Sequence, residues 1–308
     1  MRQALFFEQT TGAIKELTTV LDNFASALIA IRNMRCEIRG ILAECPDFTE
    51  EMFHTRYHFD AKMRWKNYKT VFSGQEFTVQ EEAFTWYLLN EACTVFEGWL
   101  AAMESQGIIT QSMIKDLQFP EKAGSVLARH INSSNSEAMA TLFYPVYKTN
   151  KKYSYQRIDA ILYCYRVFKE IRNSFVHNAK LTTQRCLDAY ADYAANCSKG
   201  ALAVDEVPIV NSMILNEKIS PSFRGVIGFT DIVIRLLVSY DSELIQTNAA
   251  ERYFLGKFRA LSENRKMLSS NQGKAQKQLA GRIRKCGFAT PANVQDIKQF
   301  LSSKGFAC

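Results

Sequence analysis

The sequence predicts a mostly α-helical protein, and three observations carry that expectation. Only 6 Pro and 14 Gly occur in 308 residues, too few for a turn-rich β fold. Apolar residues recur at three- and four-residue spacings along several long stretches, the period of a helix with one buried face. Short alternation with proline breaks is confined to VPIVNSMILNEKISPSF, which reads as a hairpin or extended arm near 205–220.

Taken in order, Ile14, Leu17, Leu21, Phe24, Leu28, Ile31 and Ile38 place one apolar stripe on a long first helix over about 10–43, closed by Pro46. So narrow a stripe fits packing inside the monomer or against a second copy. Residues 60–76 are basic, aromatic and weakly periodic, so they read as a connector. Thr78 followed by Glu81 forms a capping box that opens a second helix, with Phe84, Leu88, Ala92, Val95 and Trp99 on its apolar face and Gly107 past its end. A short helix is expected near 121–131 and a loop at 133–136. From Ser154 a strongly periodic helix carries Ile158, Ile161, Leu162, Tyr165, Phe168 and Ile171, and runs into RNSFVHN. Another follows from about Thr183 to Gly200, and one more spans about 222–247. Beyond 250 the chain reads as helical but polar. Residues 269–273 read as a flexible joint, Thr290-Pro291 as the start of a terminal helix, and Gly305 as its stop.

These boundaries suggest three parts: a long N-terminal helix (1–50), a helical bundle (51–250) and a basic helical extension (251–308). The charge divides in the same way. The last 58 residues hold twelve Lys or Arg against three acidic groups, a balance of +9, while the rest of the chain sums to −2. That asymmetry points to a polyanionic partner. The N-terminus lacks the continuous apolar run of a signal peptide, and the richest apolar stretches are too short or charge-interrupted to span a bilayer. A soluble, cytoplasmic protein with no membrane partner is therefore expected. The eight Cys are scattered without a CxxC pair, which fits reduced core thiols better than a disulfide framework.

Several chemistries are excluded by missing motifs: there is no phosphate-binding GxxxxGK[ST] loop, no GxGxxG, no GxSxG elbow and no HExxH. His54 and His58 share a helical spacing, but two ligands do not make a metal site. No metal or other cofactor is expected.

Arg172-Asn173-Ser174-Phe175-Val176-His177 is the segment that carries chemistry. An Arg followed at this distance by a His occurs by chance roughly 0.7 times in such a chain, and requiring an adjacent Asn lowers that to about 0.04. Metal-free RNA cleavage needs a base to take the 2′-hydroxyl proton and a cation to meet charge on the phosphate. Histidine suits the first near neutral pH, and the planar guanidinium of arginine suits the second. Asn173 can orient either group or hold the phosphate. On an ideal helix Arg172 and His177 stand about 140° apart. The helix therefore ends or bends there, or two chains pair their motifs.

The segment resembles the Arg-polar-x-x-x-His element of the HEPN superfamily, whose ribonucleases carry it in an α-helical bundle. The likeness covers roughly 78–245 and rests on Arg172, Asn173 and His177, with support from the flanking helices and from Phe96–Leu100 (FEGWL). It implies a HEPN-like bundle, a homodimer with both motifs lining one cleft, and an endoribonuclease acting on RNA. It also implies a toxin or antiviral effector with a possible antitoxin or defence-system partner. The first 50 and last 60 residues have no counterpart in the minimal bundle.

Glu91 and Glu97 read as helix-face glutamates, Glu91 leaning toward the apolar stripe where Arg172 would suit it as a partner. In the C-terminal part, Lys274, Lys277, Arg282, Arg284 and Lys285 form a basic helix able to follow a phosphate backbone. Two other readings stand beside the nuclease: a non-catalytic helical RNA-binding or scaffold protein, and a regulator binding duplex DNA through its C-terminal 60 residues.

Overall fold

The computed structural model describes residues 5–57, 68–74, 76–262, 268–269 and 271–306. Among them there are α-helices and no strand, in the order α1 (Glu8–Glu44), α2 (Glu50–Tyr57), α3 (Tyr68–Gly74), α4 (Phe77–Ser105), α5 (Gln111–Asp116), α6 (Ala123–Ser133), α7 (Tyr144–Tyr147), α8 (Asp159–His177), α9 (Gln184–Asn196), α10 (Lys199–Leu202), α11 (Phe223–Leu244), α12 (Asn248–Ser262), α13 (Gln272–Lys285) and α14 (Val294–Ser303). None of the described helices is long and apolar enough to cross a membrane.

α4 and α11 form the centre because each is apolar around most of its circumference. α4 buries Trp86, Leu89, Cys93, Phe96, Trp99 and Met103, and α11 buries Phe229, Val233, Leu236, Leu237 and Tyr240. α1 and α8 pack against both. The narrow stripe of α1 is thus spent within the chain. Its far half, with Ile38, joins Phe48 and Phe53 in a separate small core beneath α2 and α3. The main core runs continuously from Phe6 through α4, α8 and α11 to Phe288 and Leu301, so α12 to α14 share it. Phe254 meets Phe143 at 4.6 Å between ring centres, and the Tyr147 hydroxyl accepts from the Ala289 amide at 2.6 Å.

The start of α1 has no capping side chain of its own. Asp241, fully buried on α11, supplies the acceptor instead: its two carboxylate oxygens take the amides of Phe6 (2.9 Å) and Phe7 (3.1 Å). The Trp99 indole donates to Thr10 at 2.9 Å on the next turn. Three helices are therefore tied at one buried point by groups that would otherwise be orphaned.

Residues 203–222 form the expected arm, extended rather than strand-paired, with a single bridge between Leu181 and Lys218. It runs so close to the first turn of α11 that a Cβ on Gly225 would lie 2.0 Å from the Ile209 carbonyl oxygen. Only glycine fits there.

Several sequence expectations change. Part of the expected connector is helical, as α3, while 60–67 and Gln75 lie outside the described residues, as do His58, Arg265 and Lys266. Thr78 lies inside the first turn of α4, whose flanking residue is Glu76, so the capping box is not formed. Gly200 lies within α10 and does not end α9, which stops at Cys197. The helix expected over 222–247 ends at Leu244, and α12 begins four residues later, at Asn248. In the expected joint, Asn271 caps α13 by accepting from the Lys274 amide. Asn293, not Thr290, caps α14. Cys93, Cys164 and Cys186 are buried, whereas Cys36 and Cys45 are exposed.

Burial raises the Asp241 carboxyl to about 6, against hydrogen bonds that hold it down. With the folded value above the unfolded one, its contribution to stability is full below about pH 4 and lost as pH rises through about 6. Asp241→Asn keeps the shape but turns an amide toward an amide, and should cost about 1–3 kcal/mol in urea unfolding. That cost should be larger at pH 4.5 than at pH 7.

Candidate functional site

The periodicity of α8 fixes which way its motif faces. Tyr165 meets Phe96 edge-on at 4.9 Å, Phe168 stacks on Phe229 at 4.6 Å, and Phe175 stacks on Trp86 at 4.8 Å. With those rings seated against α4 and α11, the helix continues unbroken through His177 and is closed by Asn178. No bend brings Arg172 and His177 together.

Arg172 faces α4. Its Nη2 lies 2.6 Å from Glu97 Oε2, while Lys169 Nζ takes Oε1 of the same carboxylate at 2.8 Å. The arginine side chain is only 14% exposed, and its Nε is buried without a partner. Burial alone would raise the Glu97 carboxyl, but Lys169 and Arg172 hold it below its ordinary range. Burial pushes the neighbouring Cys93 thiol up to about 11, although Arg172 pulls against it. Desolvation works against the Arg172 charge, and Cys93 and Glu97 together outweigh it and raise its proton affinity. Glu97, read from sequence as a helix-face group, is thus the carboxylate that Arg172 engages, in the place proposed for Glu91.

Asn173 and His177 are one turn apart on a different face. They line a cleft of about 490 Å³ between the last turn of α8 and the start of α9, with Glu170 and Arg185. Asn173 donates to Glu170 at 3.4 Å. Glu170 is buried and also takes the Arg166 guanidinium. His177 is exposed. The structure therefore brings Asn173 and His177 to one cleft and turns Arg172 away from it.

The chain leaves α8 under strain. Ala179 and Lys180 both take left-handed backbone, with φ of 49° and 67°, a conformation costing non-glycine residues about 1–2 kcal/mol each. Three contacts hold this turn: the Lys180 amide bonds the Ser174 carbonyl, its ammonium pairs with Glu82 at 2.9 Å and lies over the Trp86 ring. The arm adds a fourth, with the Ile219 amide on the Lys180 carbonyl. Thr183 then caps α9, its side chain accepting from the Cys186 amide. Strain held in place by several neighbours is common where side chains must be aimed.

A second cleft of about 710 Å³ shares Glu170, Asn173 and Arg185 with the first and continues along α8 toward α5. There the Arg166 guanidinium lies 4.2 Å over the Phe119 ring. Arg185, Phe119 and Arg166 were not marked by sequence reasoning. One signal was present: Arg185 is the second residue of α9, where a cation opposes the helix dipole.

On α13, Lys274, Lys277, Arg284 and Lys285 are exposed and Arg282 is half-buried, opposite buried Ala275, Leu279 and Ile283. Among the described residues no group of three or more His, Cys, Asp or Glu is placed to hold a metal ion. The chain matches no family model, no curated protein and no solved structure.

Arg172→Ala removes a mostly buried partner and should lower unfolding stability by about 1–3 kcal/mol. In a double-mutant cycle with Glu97→Gln the two losses should not add, with a coupling of at least about 0.5 kcal/mol.

Proposed function

We propose that this chain is a metal-independent endoribonuclease of HEPN type that works as a homodimer. The observation that carries the reading is that Asn173 and His177 share a cleft at the strained end of α8, with the adjoining Arg172 one residue away on the same turn. Val176 and Leu181 add exposed apolar surface beside His177, of the kind a second copy would cover.

In this reading His177 takes the proton of a ribose 2′-hydroxyl, whose oxygen attacks the adjacent phosphorus. The bond to the 5′-oxygen breaks, and that oxygen leaves with a proton from an acid, for which the second copy of His177 is suited. The products are a 2′,3′-cyclic phosphate and a free 5′-hydroxyl. Asn173 orients the phosphate or the imidazole. Arg172 clamps the charge in the transition state, exchanging Glu97 for the phosphate when the two motifs close on one another. The basic face of α13 adds sequence-independent attraction for the RNA backbone. A toxin or antiviral role, with an antitoxin or defence partner, rests on the family likeness alone.

A second reading, a non-catalytic RNA-binding or scaffold bundle, is favoured by one observation. Arg172 is already engaged by Glu97 and tied into the helix packing.

Purified protein incubated with RNA and excess chelator separates the two. The nuclease reading expects cleavage with cyclic-phosphate ends, and a loss of roughly 10²- to 10⁴-fold in rate for His177→Ala. Cleavage that vanishes with chelator, or a folded His177→Ala variant as active as wild type, would contradict it.

A further inference from the structure

The two clefts on the Asn173 face of α8 are continuous, because Glu170, Asn173 and Arg185 line both. The groove reaches from His177 back to Tyr163, fourteen helical residues or about 21 Å. Its two ends differ chemically. At the His177 end the cation is Arg185, which has no ion-pair or hydrogen-bond partner among the described residues. The carboxylate there, Glu170, is already neutralised by Arg166. At the far end the Arg166 guanidinium lies 4.2 Å over the Phe119 ring, and Lys115 of α5 with Asp188 and Asp192 of α9 line the cleft.

We infer that this groove is a subsite for a single-stranded segment of RNA flanking the cleaved phosphate. Arg185 holds a backbone phosphate, and the Arg166–Phe119 stack forms the platform for an unpaired base. The assignment rests on the ribonuclease reading and extends it to residues outside the motif.

Charge decides the direction. At the Phe119 end Arg166 and Lys169 are already paired, and Asp188 and Asp192 outnumber Lys115. That end therefore disfavours a phosphate, while its carboxylates accept hydrogen bonds from the exocyclic amino groups of a base. An unpaired base stacks on aromatic rings and on guanidinium planes alike. A free guanidinium beside His177 matches a phosphate with two parallel hydrogen bonds. It also accounts for a cation at the start of α9, where the helix dipole disfavours one. Arg185 thus binds substrate in its ground state, whereas the clamp acts only in the transition state.

The test uses full-length protein and a single-stranded RNA carrying 2′-fluoro sugars, which lack the attacking hydroxyl. Arg185→Ala should weaken binding roughly ten-fold and reduce the slope of log K against log salt by about 0.7. Arg185→Lys should recover the salt slope but only part of the affinity. Phe119→Ala should cost roughly ten-fold in affinity with the salt slope unchanged. Arg185 is exposed, so its variants should unfold like wild type. With cleavable RNA, Arg185→Ala should raise KM far more than it lowers kcat.

If Arg185→Ala leaves affinity, salt slope and KM unchanged while wild type still cleaves, the subsite is wrong and the nuclease reading survives. If wild type binds in an Arg185-dependent way but never cleaves, the nuclease reading fails and the subsite stands. If wild type does not bind the oligonucleotide at all, the subsite is overturned as well.

Discussion

The rotation of α8 about its own axis is the constraint on which the candidate site depends. Ile161, Leu162, Tyr165, Phe168 and Ile171 are all buried in the main core, Tyr165 against Phe96 of α4 and Phe168 against Phe229 of α11. Each contributes about 1.5–3 kcal/mol by leaving water. Turning the helix by one residue, about 100°, would expose several of them at once. That penalty fixes the faces left over. Arg172 falls beside α4, where Cys93 and Glu97 wait one turn apart, and Asn173 and His177 fall toward α9. The core thus decides the site's geometry before any polar contact is considered.

The polar contacts then divide the charges into engaged and available groups. Glu97 holds Lys169 and Arg172, and Glu170 holds Arg166. On the groove side, among the described residues, Arg185 stays unpaired near the His177 mouth and Lys115 at the far end, with Asp188 and Asp192 also lining it and His177 exposed. The left-handed turn at Ala179 and Lys180 keeps that mouth in place, and the arm buttresses it through Thr182 and Ile219. Arg172 is held more firmly than a freely acting phosphate ligand would be. Its release from Glu97 is therefore a required step of the composite site rather than an incidental motion.

Elements with strong local periodicity were legible in the sequence. α1, α4, α8, α9 and α11 follow from their apolar spacing. The fates of Thr78, Thr290 and Gly200 were not legible, because a capping residue acts only where the chain enters the helix. That entry is set by neighbours distant in sequence. The cap of α1 shows this most clearly, since it comes from Asp241 on α11, more than two hundred residues away. At the site, the spacing of Arg172 and His177 left a bend or a pairing of two chains open, and the unbroken α8 removes the bend. The spacing did not reveal which carboxylate meets Arg172. Glu91 and Glu97 lie on different faces of α4, and only the packing of α8 selects Glu97. Arg185 was hidden for a similar reason: it reaches the groove through the turn between α8 and α9, not through a motif.

The composite site requires two copies to bring their α8 ends together. Pulsed dipolar spectroscopy measures this directly on full-length protein spin-labelled at Gln184→Cys, with Cys36, Cys45 and the C-terminal Cys308 replaced by Ser. Gln184 is exposed at the edge of the His177 cleft. The composite site predicts one short, narrow distance between the labels of two copies. A monomer with no dipolar signal, or a dimer with the labels far apart, would contradict it.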